Sequence, residues 1–203
     1  MSLIKGILKK LHKKDSRRGF SIAESLIAVL ILSMATGGVV AGVQLATREY
    51  SRSRLNSETK ILYSTLQNVI MGELNYTTAI TYSGSAETVD GKEGFRPLTS
   101  FFSPGYAMQE IAQSTILPEP NGDKNFTLGG RTYGPLYIGD AQHNRKLISA
   151  GSYPNNVGAY AKIYYHPTEK IFRVELAIAR EGDDGPMIDE FFDVMPLNNP
   201  SMD

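Results

Sequence analysis

The fold of this chain is decided by the stretch GFSIAESLIAVLIL, residues 19–32, which opens an apolar run. Residues 25–47 carry no charge. Since an α-helix rises about 1.5 Å per residue, and about 20 apolar residues cross the hydrocarbon core of a bilayer, the run predicts a transmembrane helix. Gly37, Gly38 and Gly42 lie within it. Such small residues allow helices to pack closely in lipid, although glycine is also generally frequent in membrane helices.

A helical pattern continues beyond the uncharged run. Apolar residues recur there at intervals of three, four or seven and form one stripe, namely Leu55, Leu62, Leu66, Val69, Ile70 and Leu74. Neither proline nor glycine lies between Gly42 and Gly72. We therefore predict one helix over residues 20–74, about 80 Å long. Its first half, residues 25–47, suits lipid, and its second half is amphipathic.

The formal net charge is zero, but the charges are distributed unevenly. Residues 1–19 contain seven Lys or Arg and one Asp, a net charge of +6. Subtracted from chain totals of 21 basic and 21 acidic residues, this leaves 14 basic and 20 acidic residues, a net charge of −6. A basic segment directly before an apolar run stays on the cytoplasmic side of a membrane. The mildly acidic remainder gives no general attraction to nucleic acid.

The sequence contains no recognisable catalytic or cofactor motif. It has no cysteine, which excludes a disulfide framework, a thiolate zinc site and a cysteine nucleophile. His12, His143 and His166 are scattered without metal-ligand spacing, and a turn histidine such as His166 is normally solvated. No nucleophile-elbow, Walker or dinucleotide-binding motif occurs in a suitable context. The sequence therefore predicts a protein that is not an enzyme and takes no cofactor.

One acid, Glu24, lies at the start of the apolar run. An ionised carboxylate is costly there without a partner. One interpretation places it in the headgroup zone, where its side chain reaches water. The other gives it a cation: cleavage after Gly19 would leave a free ammonium on Phe20, which would neutralise Glu24 of a neighbouring subunit. Such a buried pair contributes more to register than to net stability.

The segment Gly19-Phe20-Ser21-Ile22-Ala23-Glu24 resembles the type III signal of type IV pilins and pseudopilins. In that family a basic leader ends in glycine, the first mature residue is often phenylalanine, the fifth is glutamate, and an apolar run follows. The resemblance covers residues 10–50. It implies that a membrane-bound aspartic prepilin peptidase cuts between Gly19 and Phe20 and N-methylates Phe20. It also implies that Glu24 assists assembly of the subunit into a helical filament.

The resemblance further implies partners and a location. The partners would be other pilin subunits in a homo- or hetero-oligomeric filament, the prepilin peptidase, the pilus assembly platform and the cytoplasmic membrane. The subunit would be a single-pass membrane protein with its head outside before assembly, and part of an extracellular pilus or pseudopilus afterwards. A pilus for adhesion, motility or DNA uptake and a type II secretion pseudopilus remain alternatives.

Two departures from the family pattern favour a minor pilin, a pseudopilin or a cysteine-poor lineage. Many major pilins carry a proline about two-thirds of the way through the span, where this chain has Ala41. Nearby glycines supply a similar weakness, because glycine costs about 1 kcal/mol relative to alanine in a helix. The usual C-terminal cysteine pair is also absent.

Two export signals compete with the pilin interpretation. The segment SRRGF, residues 16–20, fits the core of a twin-arginine signal, and a Sec signal could be cleaved near residues 39–42. Either would leave an exported or membrane-anchored binding protein. Glu24 argues against both, because it lies where their hydrophobic core should begin. The helical stripe up to Leu74 would also have no use in a discarded signal.

The composition changes after the predicted helix. Residues 75–157 are rich in Gly, Pro, Ser, Thr, Asn and Tyr and form the variable region of our domain division. Within it we predict a tight hairpin (125–128 with 131–133), a strand (136–138) and a short helix (106–115).

Residues 158–203 predict a β-sheet. Three segments, at 159–165, 170–178 and 187–194, are predicted to be strands, joined by turns into an antiparallel meander. In the middle segment apolar residues share one face, while Arg173 and Glu175 lie on the other. The stripe of the long helix is the natural cover for the apolar face. We therefore predict an α+β head, a helix packed on a small antiparallel sheet, which is the layout of the pilin fold.

Asp183, Asp184 and Asp189 lie in or beside the loop before the last predicted strand. They are the candidate ligands for a calcium ion, which takes about six to eight oxygen atoms, and some pseudopilins hold calcium near this position. The spacing is not that of an EF-hand, and Asp-Asp-Gly-Pro is sufficient as a turn, so we predict no metal site. The tyrosines concentrated in the head indicate either an adhesive surface or, more simply, a half-buried sheet.

Overall fold

The computed structural model describes residues 21–102, 115–118, 125–139, 144–154 and 156–202. The chain divides into two compact units, Met1–Arg52 and Ser53–Asp203. A long helix, α1 (Ile22–Asn75), begins the described part. Its last residue lies one position beyond the predicted helix of residues 20–74. Phe20, where we predicted the helix to begin, lies outside the described residues.

Twelve strands follow α1 within the described residues. They are β1 (Ala79–Tyr82), β2 (Glu87–Val89), β3 (Lys92–Phe102), β4 (Thr115–Pro118), β5 (Phe126–Leu128), β6 (Arg131–Tyr133), β7 (Leu136–Gly139), β8 (Asn144–Lys146), β9 (Val157–His166), β10 (Ile171–Arg180), β11 (Ile188–Val194) and β12 (Ser201–Met202). A 3-10 turn, Ala150–Ser152, precedes β9. The α+β class predicted from the sequence is thereby confirmed.

The predicted meander forms one side of the main sheet, with β11 at its edge. β10 pairs antiparallel with β9 on one side and with β11 on the other. The strand order is β11-β10-β9-β3-β1-β12. The strand β2 pairs with the beginning of β3, between Lys92 and Phe95. The last neighbour pair, β1 and β12, is parallel. The sequence had predicted the meander but not the strands that extend it beyond β9.

The region of residues 75–157 is more regular than its composition predicted. The hairpin of β5 and β6 and the strand β7 confirm two predictions made for it. β7 also pairs with β4 and β8 to form a separate three-stranded sheet. The short helix predicted at 106–115 lies outside the described residues except for Thr115. Because Thr115 begins β4, the predicted helical end at that residue is wrong.

The second part of α1 covers the apolar face of the main sheet. Its buried residues recur at intervals of three or four, as the stripe predicted, namely Thr59, Leu62, Leu66, Ile70 and Leu74. From β10 the alternate residues Phe172, Val174, Leu176 and Ile178 join the four apolar residues of that stripe in one hydrophobic core. This contact positions the C-terminal half of α1 as part of the head.

The opposite face of β10 is covered as well, which the sequence did not predict. Arg173 and Glu175 are 3% and 5% exposed. Two smaller hydrophobic clusters lie over this face, one around Phe95 and one around Tyr133. β10 therefore lies between two packed layers, and its two charged residues are buried between them.

Gly158 allows these two layers to approach each other closely. Gly134 and Ala159 exchange two backbone hydrogen bonds of 3.0 Å. A Cβ atom on the neighbouring Gly158 would lie 2.7 Å from the backbone nitrogen of Gly134 and 2.9 Å from the carbonyl carbon of Tyr133. Since both are backbone atoms, any larger residue at position 158 would force the layers apart.

Candidate functional site

The N-terminus of α1 carries a reciprocal cap formed by Ser21 and Glu24. Glu24 Oε2 accepts a hydrogen bond from the backbone N–H of Ser21 at 3.0 Å, and Ser21 Oγ accepts one from the N–H of Ala23 at 3.3 Å. This is a capping box, which satisfies backbone donors that the first helical turn leaves unpaired. The carboxylate also lies at the positive end of the helix dipole. Glu24 therefore has a local role in starting the helix.

The two predicted processing residues, Gly19 and Phe20, lie outside the described residues. The capping box begins at Ser21, one residue after the predicted N-terminus of the mature chain. Among the described residues Glu24 is exposed and has no ion-pair partner. Among the described residues, the groups that compensate its charge are the backbone N–H of Ser21, which bonds Oε2, and the helix dipole.

The apolar part of α1 is fully exposed within its unit. Among the described residues, one helix, α1, is long and apolar enough to cross a membrane. No residue in its most apolar stretch of 18 residues is buried. Large side chains such as Leu26, Ile31 and Val39 have more than half of their surface exposed. Exposure of so much apolar surface is costly in water and favourable in lipid. The helix is thus compatible with membrane anchoring, although a signal sequence meets the same criterion.

The three candidate calcium ligands do not share one arrangement. Asp189 lies on β11, where its Oδ2 accepts a hydrogen bond of 2.7 Å from Arg131 Nη1. Asp183 lies in the loop after β10, with its Oδ1 4.0 Å from Arg180 Nε. Among the described residues no group of three His, Cys, Asp or Glu side chains is close enough to hold a metal. The charge of Asp189 is already compensated by arginine.

A partly buried ion cluster fastens the β5–β6 hairpin to the outer face of the main sheet. The guanidinium of Arg131 binds the carboxylates of both Glu175 and Asp189 and lies 5.2 Å from the ring centre of Tyr160. Burial opposes the charge, but the hydrogen bond to Asp189 and the charge of Glu175 still raise the pKa of Arg131 above its ordinary value. Arg131 is therefore charged at every accessible pH and holds the hairpin through charge-assisted bonds.

A second ion pair fastens the β2–β3 hairpin. The side chain of Arg173 is 4% exposed and binds Asp193 through two hydrogen bonds of 2.7 and 2.8 Å. It also donates to the backbone carbonyl of Val89 at 3.0 Å and lies 4.6 Å from the ring centre of Phe95. The hydrogen bonds from Arg173 lower the pKa of Asp193 below its ordinary value of 3.8.

The lowered pKa of Asp193 predicts an acid-dependent stability of the head. The pair stabilises the fold above about pH 4 and loses its effect as pH falls through the lowered pKa of the folded state. We expect Asp193→Asn to lower the free energy of unfolding at pH 7 by about 1–3 kcal/mol, a figure reduced because Asp193 is one-third exposed. The difference should shrink as pH falls through the lowered pKa of Asp193, since the native carboxyl is then protonated too.

The measurement is thermal unfolding of the full chain in detergent, followed by near-ultraviolet circular dichroism of the tyrosines. All of these except Tyr50 follow Arg52 and so report on the head. Asp183→Asn is the matched control, because its long ion pair is exposed on both sides and should contribute less than about 0.5 kcal/mol. An Asp193→Asn effect that stays the same size from pH 7 down into the acid range where Asp193 is protonated would contradict the assigned pairing.

Two tyrosines, the half-buried Tyr63 and the buried Tyr153, lie where the second part of α1 meets the rest of the head. Burial, followed by the charge of Glu190 and a hydrogen bond to it, raises the pKa of Tyr63 to about 12. Burial likewise raises the pKa of Tyr153 to about 12, while its hydroxyl oxygen accepts a hydrogen bond of 2.9 Å from the backbone N–H of Leu136. Both remain neutral at physiological pH and serve as packing residues with one satisfied polar atom.

His166 has a structural role that the sequence did not predict. Its Nδ1 accepts a hydrogen bond of 3.0 Å from the backbone N–H of Glu169, and its Nε2 lies 3.2 Å from the carbonyl oxygen of Glu93. Since Nδ1 is the acceptor, Nε2 carries the proton and donates to Glu93. The expectation of a merely solvated turn histidine is therefore wrong, because the ring joins the β9–β10 turn to the β2–β3 hairpin.

The capping role of Glu24 was also missed, although the sequence contains its pattern. A serine followed three residues later by glutamate, directly before an apolar helix, is the standard mark of a capping box. Ser21 and Glu24 have this spacing. The cost of a carboxylate in lipid and its bond to the backbone donor beside it are therefore both features of Glu24.

Comparison of the chain with protein-family models, with curated proteins and with solved structures found no match.

Proposed function

We propose that this chain is the precursor of a structural subunit of a type IV pilus or a related pseudopilus, cut between Gly19 and Phe20 by prepilin peptidase. One observation carries the proposal: an exposed apolar helix begins at Ile22, carries Glu24 in its first turn, and continues without a break into the part that covers the sheet of the head. A discarded export signal or a simple anchor has no need of that continuity. A filament subunit uses both halves of such a helix.

The distribution of small residues on α1 supports this role. At about 100° per residue, the positions 24, 28, 35 and 42 lie within about 40° of one another around the helix. They are Glu24, Ala28, Ala35 and Gly42. Small side chains on the face that bears the carboxylate let another helix approach closely. A terminal ammonium on that neighbouring helix could then reach Glu24.

The proposed mechanism is self-assembly controlled by cleavage. The membrane stores the precursor, and the basic leader holds positive charge on the cytoplasmic side. Cleavage removes the leader and creates the ammonium on Phe20. An ammonium of one subunit and Glu24 of the next then neutralise each other, which sets the register between subunits more than it adds net stability. No catalytic residue and no cofactor takes part.

The finer features of the proposal follow the pilin interpretation. The subunit would be a single-pass protein of the cytoplasmic membrane with its head outside, and would become part of an extracellular filament. Its partners would be other pilin subunits, the prepilin peptidase and the assembly platform. The absence of cysteine and the Ala41 in place of a proline favour a minor subunit or a pseudopilin.

The test is the fate of the chain in its native host. We expect filaments sheared from the cells to contain the chain without residues 1–19, and a strain that lacks prepilin peptidase to retain the full chain in its membranes. A chain cut near residues 39–42 and released as a free domain would overturn the proposal. It would instead support an exported binding protein with a Sec or twin-arginine signal.

A further inference from the structure

The apolar part of α1 carries a polar face opposite to Glu24. At about 100° per residue, five polar positions between 33 and 51 fall within about 80° of one another. They are Ser33, Thr36, Gln44, Thr47 and Ser51. A shallow groove follows this face between Val29 and Gln44. The face therefore differs in chemistry from both the purely aliphatic flanks and the small-residue face.

The four hydroxyl groups of this face already use their protons. Each donates to a backbone carbonyl three or four residues earlier in α1, at 2.7 to 2.9 Å: Ser33, Thr36, Thr47 and Ser51. Such bonds let serine and threonine enter a membrane helix at small cost. The hydroxyl oxygens keep lone pairs that point outwards as acceptors.

Gln44 differs from these residues, because its carboxamide has no hydrogen-bond partner among the described residues. The group has two N–H donors and one carbonyl acceptor, and among the described residues it makes no bond to the helix backbone of the kind that the serine and threonine hydroxyls make. Within a span that crosses a bilayer, an unpaired carboxamide is costly. Helices in lipid relieve this cost by pairing such side chains across an interface. A partner for Gln44 is therefore expected outside the single chain.

We propose that the face of Ser33, Thr36, Gly37, Val40 and Gln44 is a contact between two copies of this chain in the membrane. Copies inserted in the same direction are related by a two-fold axis along the membrane normal, which brings each residue of the face to its own counterpart. The carboxamide is self-complementary, so the two Gln44 side chains bond each other or the outward hydroxyl oxygens. Gly37 lets the two backbones approach.

The contact leaves the Glu24 face free. Ala28, Ala35 and Gly42 lie about 125° to 165° from the centre of the polar face. A dimer formed through Gln44 could therefore exist before cleavage and would not occupy the surface assigned to filament assembly. The inference rests on one part of the proposed function, the insertion of α1 in a membrane, and on none of its later steps.

The chain contains no cysteine, so single cysteines report contacts directly. The experiment uses the full precursor in membranes of a host without prepilin peptidase, with mild oxidation. Gly37→Cys and Val40→Cys test the proposed face, and Ala35→Cys and Gly42→Cys are matched controls on the opposite face. Because a disulfide needs Cβ atoms about 4 Å apart, we expect about five-fold more cross-linked dimer from the first pair than from the second.

A composition-matched change tests the role of Gln44 itself. Exchanging two neighbours, Gln44→Leu with Leu45→Gln, keeps the composition but moves the carboxamide by about 100° around the helix. In the Val40→Cys background we expect this exchange, like Gln44→Leu alone, to reduce the cross-linked dimer by about three-fold to ten-fold. Unchanged cross-linking in the exchange variant would overturn the proposal.

Failure of the proposed contact can be distinguished from failure of the proposed function. Extraction of the membranes at alkaline pH shows whether the precursor is inserted. An inserted chain that cross-links equally on both faces, or only through Ala35→Cys and Gly42→Cys, overturns the contact and leaves the proposed function standing. A chain that is not inserted overturns both. Preferential cross-linking through Gly37→Cys and Val40→Cys that falls on moving the carboxamide supports the contact.

Discussion

We expect Glu24→Leu to leave the chain inserted in the membrane and cleaved, but to reduce its incorporation into filaments by at least about ten-fold. The reason is electrostatic. Removing one member of a buried ion pair leaves the other uncompensated, at a cost of about 3–5 kcal/mol. Here the uncompensated group would be the Phe20 ammonium of the neighbouring subunit. The measurement is the ratio of mature chain in sheared filaments to mature chain in membranes.

The capping box makes a second variant necessary, because leucine removes the cap as well as the charge. Glutamine also serves as the last residue of a capping box. Glu24→Gln therefore keeps an acceptor for the Ser21 N–H, now 3.0 Å from the carboxylate, and removes only the charge. We expect Glu24→Gln to assemble as poorly as Glu24→Leu. Normal assembly of Glu24→Gln would contradict the charge pairing and assign the defect of Glu24→Leu to the cap.

Glu49→Gln is the control for loss of one negative charge from α1. Glu49 is exposed and follows the uncharged run. Its replacement should leave both cleavage and assembly at the level of the unmodified chain. A defect as large as that of Glu24→Gln would show that assembly depends on the charge of the helix as a whole and not on a pair at its N-terminus.

The second large effect concerns processing. We expect Gly19→Leu to abolish removal of residues 1–19, because the resemblance to prepilins places the scissile bond after a glycine and leucine adds a branched side chain beside it. The full-length chain should then accumulate in membranes and be missing from filaments. The measurement is the intact mass of the chain purified from membranes of the native host.

Gly6→Leu is the matched control, since it places the same substitution in the basic leader away from the cut. It should be processed as the unmodified chain is. A mature chain lacking residues 1–19 in the Gly19→Leu variant would refute the assigned site. Loss of processing in both variants would show that the leader as a whole, and not Gly19, is what the peptidase requires.

The helix and the meander were predictable because their patterns are local. The spacing of Leu62, Leu66 and Ile70 and the alternation along β10 each follow from one period read over a few turns or residues. The apolar face of α1 and the apolar face of β10 meet in one core, as the patterns require. The helical pattern continues without proline up to Leu74, and α1 ends one residue later, at Asn75.

The strands beyond β9 were not predictable from local pattern. β3 contains Gly94 and Pro97, which indicate a loop, yet Arg96 and Pro97 pair with Tyr165 and Tyr164 of β9. The two residues of β12 pair with β1 over a very long separation in sequence. Such pairing is decided by tertiary contacts, which override the propensities of short segments.

The outer cover of the sheet was missed for a related reason. Arg173 and Glu175 alternate with apolar residues and so indicate a solvated face. Their burial depends on partners far along the chain, Asp193 for the first and Arg131 for the second. A sequence pattern shows the charge but not its partner, and burial of a charge follows only when a partner is present.

At the candidate site, too, some features were predictable from the sequence and others were not. Glu24 stood out because a lone charge in an apolar run is rare and costly. Its bond to Ser21 was recognisable from spacing alone and was overlooked. Gln44 attracted no notice in the sequence because an uncharged polar residue leaves the hydropathy of the run intact. Its significance depends on the hydrogen bonds that Thr36 and Thr47 make and Gln44 does not.

The central claim is tested most directly by the N-terminal residue of the mature protein, determined by mass spectrometry on the chain from its native host. The account predicts N-methylated Phe20, followed by Ser21 and the whole of the apolar run. A mature chain that begins near Gly42 or later would contradict it. The N-terminal segment would then be an export signal that is discarded, and the head would be a free secreted domain.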